Sequence, residues 1–535
     1  MKMIKIFKIF LISMVICFAF SAYAKWEIAT SSGSTFVVTD GDWELQCQKS
    51  GSEGAFKISS VVKEGQNKLD LIALNSDIDD GITDYSLIEI NTSLRNKTIN
   101  GLTIPKTVKT IASYSFNPNS TPIQYLSGDV VIEEGSELTS MGRQCFNGSQ
   151  ITSINLDVCT NLKTLGHYSF QGCSSLTTIG SGILPSSLTE MQQGVFYNCT
   201  SLVGDIYSDA TMQLLNGEQF RNTKITSLVI PNVYGPIGSY FLDGASAITN
   251  VILSQNITSF GQRFAPSCKT IINFEPKEFS KVTSIGAYFL PQITNITGDW
   301  KFPELTSLGG TDIFRNTRIT SFYAPKLTAI TGYSFLDNPS LTNVVLSPNL
   351  TSISGSSFTA CPNLKSFYPT KLPKLTSLGA AFSGANSLST PLDFSKSAIT
   401  TIPKQAFANC HGLTEIRLPA TLTSLENYAF EKVKDCDFYF YGLPPAVGAG
   451  PFKLNATKMR HNILVLEENV SAWTNNTTQG YVFTPLSEVP DSEKTDDYQY
   501  PTEGRVLGLI KIAESDPATH WVSLIPIKGL FISVH

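Results

Sequence analysis

A phrase of the form Gly-x-Tyr-Ser-Phe-x-x-Cys-x-x-Leu returns about every 24 residues through most of this chain, and it constrains the fold more than any other feature. Its central position is held by Phe116, Phe146, Phe170, Phe196, Phe220, Leu242, Ala265, Leu290, Phe314, Phe335, Phe358, Phe382, Phe407 and Phe430, at spacings of 21 to 30 residues. Each unit also carries a segment such as Leu341 to Leu346, with apolar residues at offsets 0, 3 and 5. A turn follows, often with proline (Pro231, Pro325, Pro348, Pro419), and then a second short stretch such as Leu350 to Gly355. One such unit cannot bury its own apolar side. Stacking coil on coil turns the fixed offsets into continuous buried ladders. The chain has 535 residues, past the roughly 250–300 at which a single conventional core stops growing, and a one-dimensional array has no such limit. The spacing predicts a β-rich solenoid of about 14 repeats of about 24 residues.

Departures from the phrase are patterned. At Leu242, Ala265 and Leu290 the phenylalanine moves one place earlier, to Phe241, Phe264 and Phe289. After Phe146, Phe220 and Phe314 the loop is one residue shorter. Both predict slips of register and an uneven bend or twist.

Cysteine follows the same period. Cys173, Cys199, Cys361 and Cys410 stand three residues after the central phenylalanine, and Cys268 has the same offset from Ala265. One thiol per coil predicts a stack of small buried side chains. A spacing of about 24 is unlike the close pairs that zinc needs.

The phrases Tyr168-Ser-Phe170-Gln-Gly-Cys173-Ser-Ser-Leu176 and Ala406-Phe407-Ala-Asn-Cys410-His-Gly-Leu413-Thr-Glu-Ile416-Arg-Leu418-Pro419 resemble BspA-like leucine-rich repeats. The resemblance covers roughly Leu102 to Tyr441. It implies a curved, right-handed leucine-rich repeat solenoid on a secreted or bacterial cell-surface protein, with some relatives acting as adhesins for host proteins or other cells.

The chain divides by composition. Residues 1–24 read as a signal peptide: Lys2, Lys5 and Lys8 precede the apolar run Ile9 to Phe20, and Ala22-Tyr23-Ala24 is a small-x-small cleavage site. No later segment is apolar enough to predict a membrane span. Residues 25–97 lack the repeat and alternate as a β-type N-terminal cap would; 98–441 are the solenoid. Residues 442–486 read as a degenerate repeat and C-terminal cap, and 487–535 as a polar linker with a short β tail. Gly504 to Leu507 and Lys528 to Ser533 are similar to strands of a surface-sorting tail, or to a plain terminal hairpin.

Chemistry is hard to find. The five histidines, His167, His411, His461, His520 and His535, share no motif, and His167 and His411 fall in repeat turns, where a solvated role is expected. No metalloprotease, nucleophile-elbow or phosphate-loop motif occurs. Net charge is −5, against a nucleic-acid partner. No enzyme, cofactor, catalytic residue or metal site is expected.

One row of positions remains. Offset 4 of each strand phrase should point away from the core. It reads Asn155, Gly180, Ile206, Val229, Ile252, Glu275, Thr297, Tyr323, Val345, Tyr368, Leu392, Arg417 and Phe440. Of these, Val229, Ile252, Glu275, Tyr323, Val345, Tyr368, Leu392 and Arg417 are the candidate ligand-binding stripe, anchored by the two tyrosines. The other reading is that β-branched and aromatic residues suit strands and pack along their own ladder. The expected function is extracellular or cell-surface recognition of host or neighbouring-cell proteins or glycans, in adhesion. The alternatives are a structural surface spacer without a specific ligand and, behind both, an enzyme.

Overall fold

The computed structural model describes residues 26–32, 34–50, 55–77, 86–118, 125–434, 436–449, 451–452, 461–466, 469–474, 481–485, 506–512 and 520–527. The signal segment, the polar stretch from Ser487 to Gly504, and both sorting-tail segments except Val506 and Leu507 lie outside them. Two compact units result: residues up to 213 with 219–225, and residues 214–218 with 226 onward.

The first unit opens as an antiparallel meander of Glu27–Ser32, Thr35–Thr39, Glu44–Lys49 and Ala55–Lys63. Phe36, Val38, Leu45 and Cys47 are buried between half-exposed neighbours, as two-residue alternation requires. Asp40 Oδ1 accepts the N–H groups of Asp42 and Trp43 at 2.9 and 2.6 Å and fixes the turn. Ala55–Lys63 then pairs parallel with Ser86–Ile90, and Leu69–Asp70 parallel with Ile99–Ile104. Coil geometry therefore starts before residue 98. These coils lack the phenylalanine phrase, so the period does not reveal them.

Each later coil gives a short strand to one parallel sheet and a longer strand to another. In the first unit the short strands include Thr110–Ile111, Ser140–Met141, Thr164–Leu165 and Glu190–Met191. In the second they run from Leu214–Leu215 through Ser307–Gly309, then Ala329–Ile330 through Ser377–Leu378, then Thr401–Ile402 through Ala446–Val447. The longer strands of the second unit form three groups. Residues 227–230 pair with Asn250–Leu253, which pairs with Asn273–Glu275. Thr297–Lys301, Arg318–Tyr323, Asn343–Val345 and Ser366–Tyr368 form the second. Leu392–Asp393, Glu415–Leu418, Asp437–Phe440 and His461–Leu466 form the third. Onto the third is added the antiparallel tail His520–Ile527, Val506–Ile512 and Tyr481–Pro485. The chain is thus a β-rich leucine-rich repeat solenoid, with about 16 turns in its two units.

Stacked side chains hold successive coils. Phe116, Phe146, Phe170 and Phe196 stack at 5.0, 5.1 and 5.4 Å. In the second unit Phe335, Phe358, Phe382, Phe407 and Phe430 do so at 5.2 to 5.5 Å. Between these runs the rings turn: Phe264–Phe289 is tilted at 42° and Phe289–Phe314 is edge-on at 88°. This is the stretch of early phenylalanines, but the backbone does not slip there. Leu242 N–H donates to Phe264 O and Ala265 N–H to Phe289 O, in the pattern of Phe170 N–H to Val195 O. Both adjacent positions face the core at this edge, so the ring enters from the neighbouring residue. Phe260, Phe274, Phe279, Trp300 and Phe302 fill the space that opens.

The nine cysteines among the described residues are free and buried. The Cys173 thiol donates to Phe146 O at 3.0 Å, and Cys199, Cys268, Cys361 and Cys410 repeat that bond to the preceding coil at 3.0 to 3.1 Å. Burial pushes the Cys361 thiol up to about 12 and those of Cys145 and Cys410 higher still. Threonines clip the outer edges: Thr177, Thr342, Thr351 and Thr376 each donate to a carbonyl of the coil before. Close approach also demands glycine. A Cβ on Gly142 or Gly261 would lie 2.4 Å from the backbone nitrogen of Ser113 or Ser239.

Candidate functional site: the outward row of the longer strands

A strand that buries alternate residues must turn the others outward. In the second unit pairing lines these up as Val229, Ile252 and Glu275, then Lys301, Tyr323, Val345 and Tyr368, then Asp393, Arg417 and Tyr439. The row breaks twice, after Glu275 and after Tyr368. At both places a proline follows, in a cis peptide, and has no N–H to give the ladder. Pairing resumes three residues later, with Glu278 against Lys301 and Lys371 against Asp393.

Seven of the eight candidates lie on this row: Val229, Ile252, Glu275, Val345 and Arg417 half-buried, Tyr323 and Tyr368 exposed at 40% and 47%. Leu392 does not. It is fully buried and pairs with inward Ile416, while Asp393 holds the outward place beside Arg417. Of the wider row, Ile206 and Phe440 are buried too, and Tyr207 and Tyr439 point outward in their stead. Thr297 is exposed but pairs with Arg318, so Lys301 is the partner of Tyr323.

Pairing between these coils is irregular: Gly298 pairs with Ile319 and Asp299 with Ser321, so the extra residue, Thr320, falls on the next strand. Before Trp300 stands Gly298-Asp299, where Gly298 takes φ +87° and the register shifts. Counting offsets from Ile293 misses it. Gly128-Asp129 does the same in the first unit, with Gly128 at φ +72°. Each aspartate accepts two hydroxyls from the next coil: Asp129 from Thr152 and Ser153, Asp299 from Thr320 and Ser321, at 2.6 and 2.7 Å. Those bonds hold both carboxyls below the usual carboxylate range. The coils that donate are those after a shortened loop, so the shorter loop and the Gly-Asp strand are two halves of one device. The alternations Leu392-Asp393-Phe394 and Phe438-Tyr439-Phe440 were the signals available for Asp393 and Tyr439.

Electrostatics differ along the row. Lys277 pairs with Glu275 at 3.5 Å, Lys301 with Glu278 at 3.4 Å and Lys326 with Glu304 at 2.6 Å. Further on, Arg417 donates to Glu415 at 2.7 Å and to the Tyr441 hydroxyl at 3.1 Å, and lies 4.5 Å from the Tyr439 ring centre. Burial works against that guanidinium's charge, but Glu415 and Tyr441 outweigh it and hold its pKa above the ordinary value. Burial, with Glu415 and Asp437, raises the Tyr439 hydroxyl. His411 is less solvated than its turn suggests: its Nδ1 is 2.7 Å from Lys432 O. Among the described residues no group of three or more His, Cys, Asp or Glu side chains could hold a metal ion. None of their helices is long and apolar enough to cross a membrane.

The coils, ladders and two-strand turns define a leucine-rich repeat protein. A family model described as a BspA type leucine rich repeat region matches in six copies, at residues 90–211, 178–297, 213–339, 268–389 and 378–440. These span about two thirds of the chain, and the chain belongs to that family. No curated protein matches it. Among solved structures it is similar to a leucine rich cell surface protein of Faecalibacterium prausnitzii, at 18% identity over 84% of this chain and 100% of that one, TM-score 0.33. It is also similar to a leucine-rich repeat protein of Bacteroides ovatus, at 14% identity over 82% and 94%, TM-score 0.35. A third is the pneumococcal vaccine antigen PcpA, at 15% identity over 83% and 96%, TM-score 0.28.

Proposed function

We propose that this chain is an exported or cell-surface recognition protein that binds a protein or glycan of a host or neighbouring cell, in adhesion, through the outward row of its longer strands. One observation carries the reading. Tyr323 and Tyr368 stand 40% and 47% exposed on either side of Val345, and the three are direct partners on consecutive strands of one sheet face. Exposed tyrosines held on a rigid sheet give contact area at low entropic cost, and tyrosine is enriched where binding energy concentrates. The main-chain groups of the sheet are used in pairing between coils, so side chains must do the recognising.

The test is binding of the full chain to matrix proteins, mucin and whole cells, beside the double variant Tyr323→Ser, Tyr368→Ser. The expected result is at least a tenfold loss of binding by a variant that keeps its circular dichroism spectrum. Undiminished binding by that variant would reject this surface. Failure of the parent chain to bind any of them would favour a spacer.

A further inference from the structure

We propose that the stretch of this row from Tyr323 to Lys396 is a site for an acidic glycan, a sugar chain bearing carboxylates; this rests on the recognition reading above. Three independent features of the second unit converge there.

The first is shape. Tyr323, Val345 and Tyr368 are direct partners on three consecutive strands. Strands lie about 4.8 Å apart, so the two rings flank the shorter valine across roughly 10 Å. That is a slot with aromatic walls and an aliphatic floor. It suits the flat C–H face of a pyranose ring. The polar neighbours within it, Ser321, Asn343 and Ser366, are uncharged hydrogen-bonding groups on the same strands. An extended peptide would gain its main-chain bonds at a sheet edge; this is a sheet face.

The second is charge. The chain is acidic overall, at net −5. Residues 342–400 reverse that balance: Lys365, Lys371, Lys374 and Lys396 stand against Asp393 alone. None of the four lysines forms an ion pair with a described residue. On the preceding coils Lys277, Lys301 and Lys326 are each matched to a glutamate. The cations beyond Tyr368 are therefore unspent, and a fixed anion of the ligand would complete them.

The third is a pocket of about 280 Å³, lined by Lys371, Leu372, Pro373, Asp393, Ser395 and Lys396. It opens where Pro369 interrupts the ladder and Lys371 rejoins it against Asp393. It is smaller than a typical small-molecule site, and of a size for one charged substituent with part of its ring. Lys371 and Lys396 would take the carboxylate. Asp393, whose Oδ1 already accepts the Ser395 N–H at 2.9 Å, can accept a sugar hydroxyl with its other oxygen. Aromatic slot and cationic pocket follow each other along one row, as sugar ring and acid group do along a uronic or sialic acid chain.

Affinity electrophoresis of the full chain tests this. Hyaluronate, polygalacturonate, alginate and polysialic acid would be cast in the gel, with dextran as neutral polymer and poly-glutamate as acidic peptide. At least one acidic polysaccharide should retard the chain, while dextran and poly-glutamate should not. Lys371→Gln with Lys396→Gln, and separately Tyr323→Ser with Tyr368→Ser, should each weaken that retardation at least tenfold with unchanged melting temperature. Equal retardation by poly-glutamate, or survival of binding in the tyrosine variant, overturns the glycan assignment. If whole cells bind the chain but no acidic polysaccharide does, the inference fails and the recognition reading stands. If cells, mucin, matrix proteins and all polymers fail to bind, both fall.

Discussion

The described coils that carry the phenylalanine phrase have two kinds of row, and the two behave differently. The inward phenylalanine row keeps its backbone register through coils with early rings, short loops and extra residues. The outward row loses count at Gly298-Asp299, after Glu275 and after Tyr368. The difference is one of constraint. An inward residue touches the coils above and below at close packing, so any shift is felt by both. An outward residue has solvent on one side, and an added residue there costs little more than a local hydrogen bond. Variation can therefore accumulate outside without disturbing the stack, which is where a partner would be recognised.

The sharpest way to break this contrast is to cut the inward row. Phe358 is fully buried between Phe335 and Phe382, at 5.2 and 5.5 Å. Phe358→Ala should cost about 3–5 kcal/mol locally. Because repeat arrays lose cooperativity, the expected signature is a separate early unfolding step in urea. A single unshifted transition would show that neighbouring rings collapse into the space.

A middle effect is expected at Asn338, which stands where other coils have the buried cysteine. Its amide donates to Phe314 O at 2.6 Å and to Phe335 O at 2.9 Å, and its oxygen accepts from Thr317 Oγ1 at 2.6 Å. Asn338→Ala strands these groups and should cost about 1–3 kcal/mol. Asn338→Cys restores one donor, as Cys361 has it toward Phe335 O, and should cost less; chemical denaturation of both variants checks the order.

The smallest effect belongs to the outward device. The Asp299 pKa is depressed in the fold by the hydroxyls of Thr320 and Ser321. Its stabilising contribution is present above the unfolded pKa of about 4 and is lost as pH falls through the lower folded value. Asp299→Asn should therefore lose slightly less stability than the parent between pH 7 and pH 3, read as the shift in urea midpoint. An identical shift would show that the carboxylate's charge is not what holds the bulge.

Legibility divided along the same line. The recurring phenylalanine phrase and the cysteine offset were enough to read a leucine-rich solenoid, its buried thiols and its family. The outward placement of seven of the eight candidate positions was readable from the 0, 3, 5 pattern, because in those coils the count of residues between anchors is regular. Leu392 was misplaced because the strand phrase does not keep a fixed distance from its anchor in every coil, and a one-residue offset exchanges the two faces of a strand: Leu392 pairs with inward Ile416 and Asp393 with outward Arg417. Lys301, Asp393 and Tyr439 were missed because the anchor-to-strand count varies between coils, while the outward place is set by pairing with the neighbouring strand. The ladders along the coils are local patterns repeated, so sequence alone determined them. Which lysines stand unpaired beside Tyr368, and that a pocket opens there, depended on register between coils some 24 residues apart. Only the tertiary structure could decide that, because cross-coil pairing sets it and no single coil encodes it.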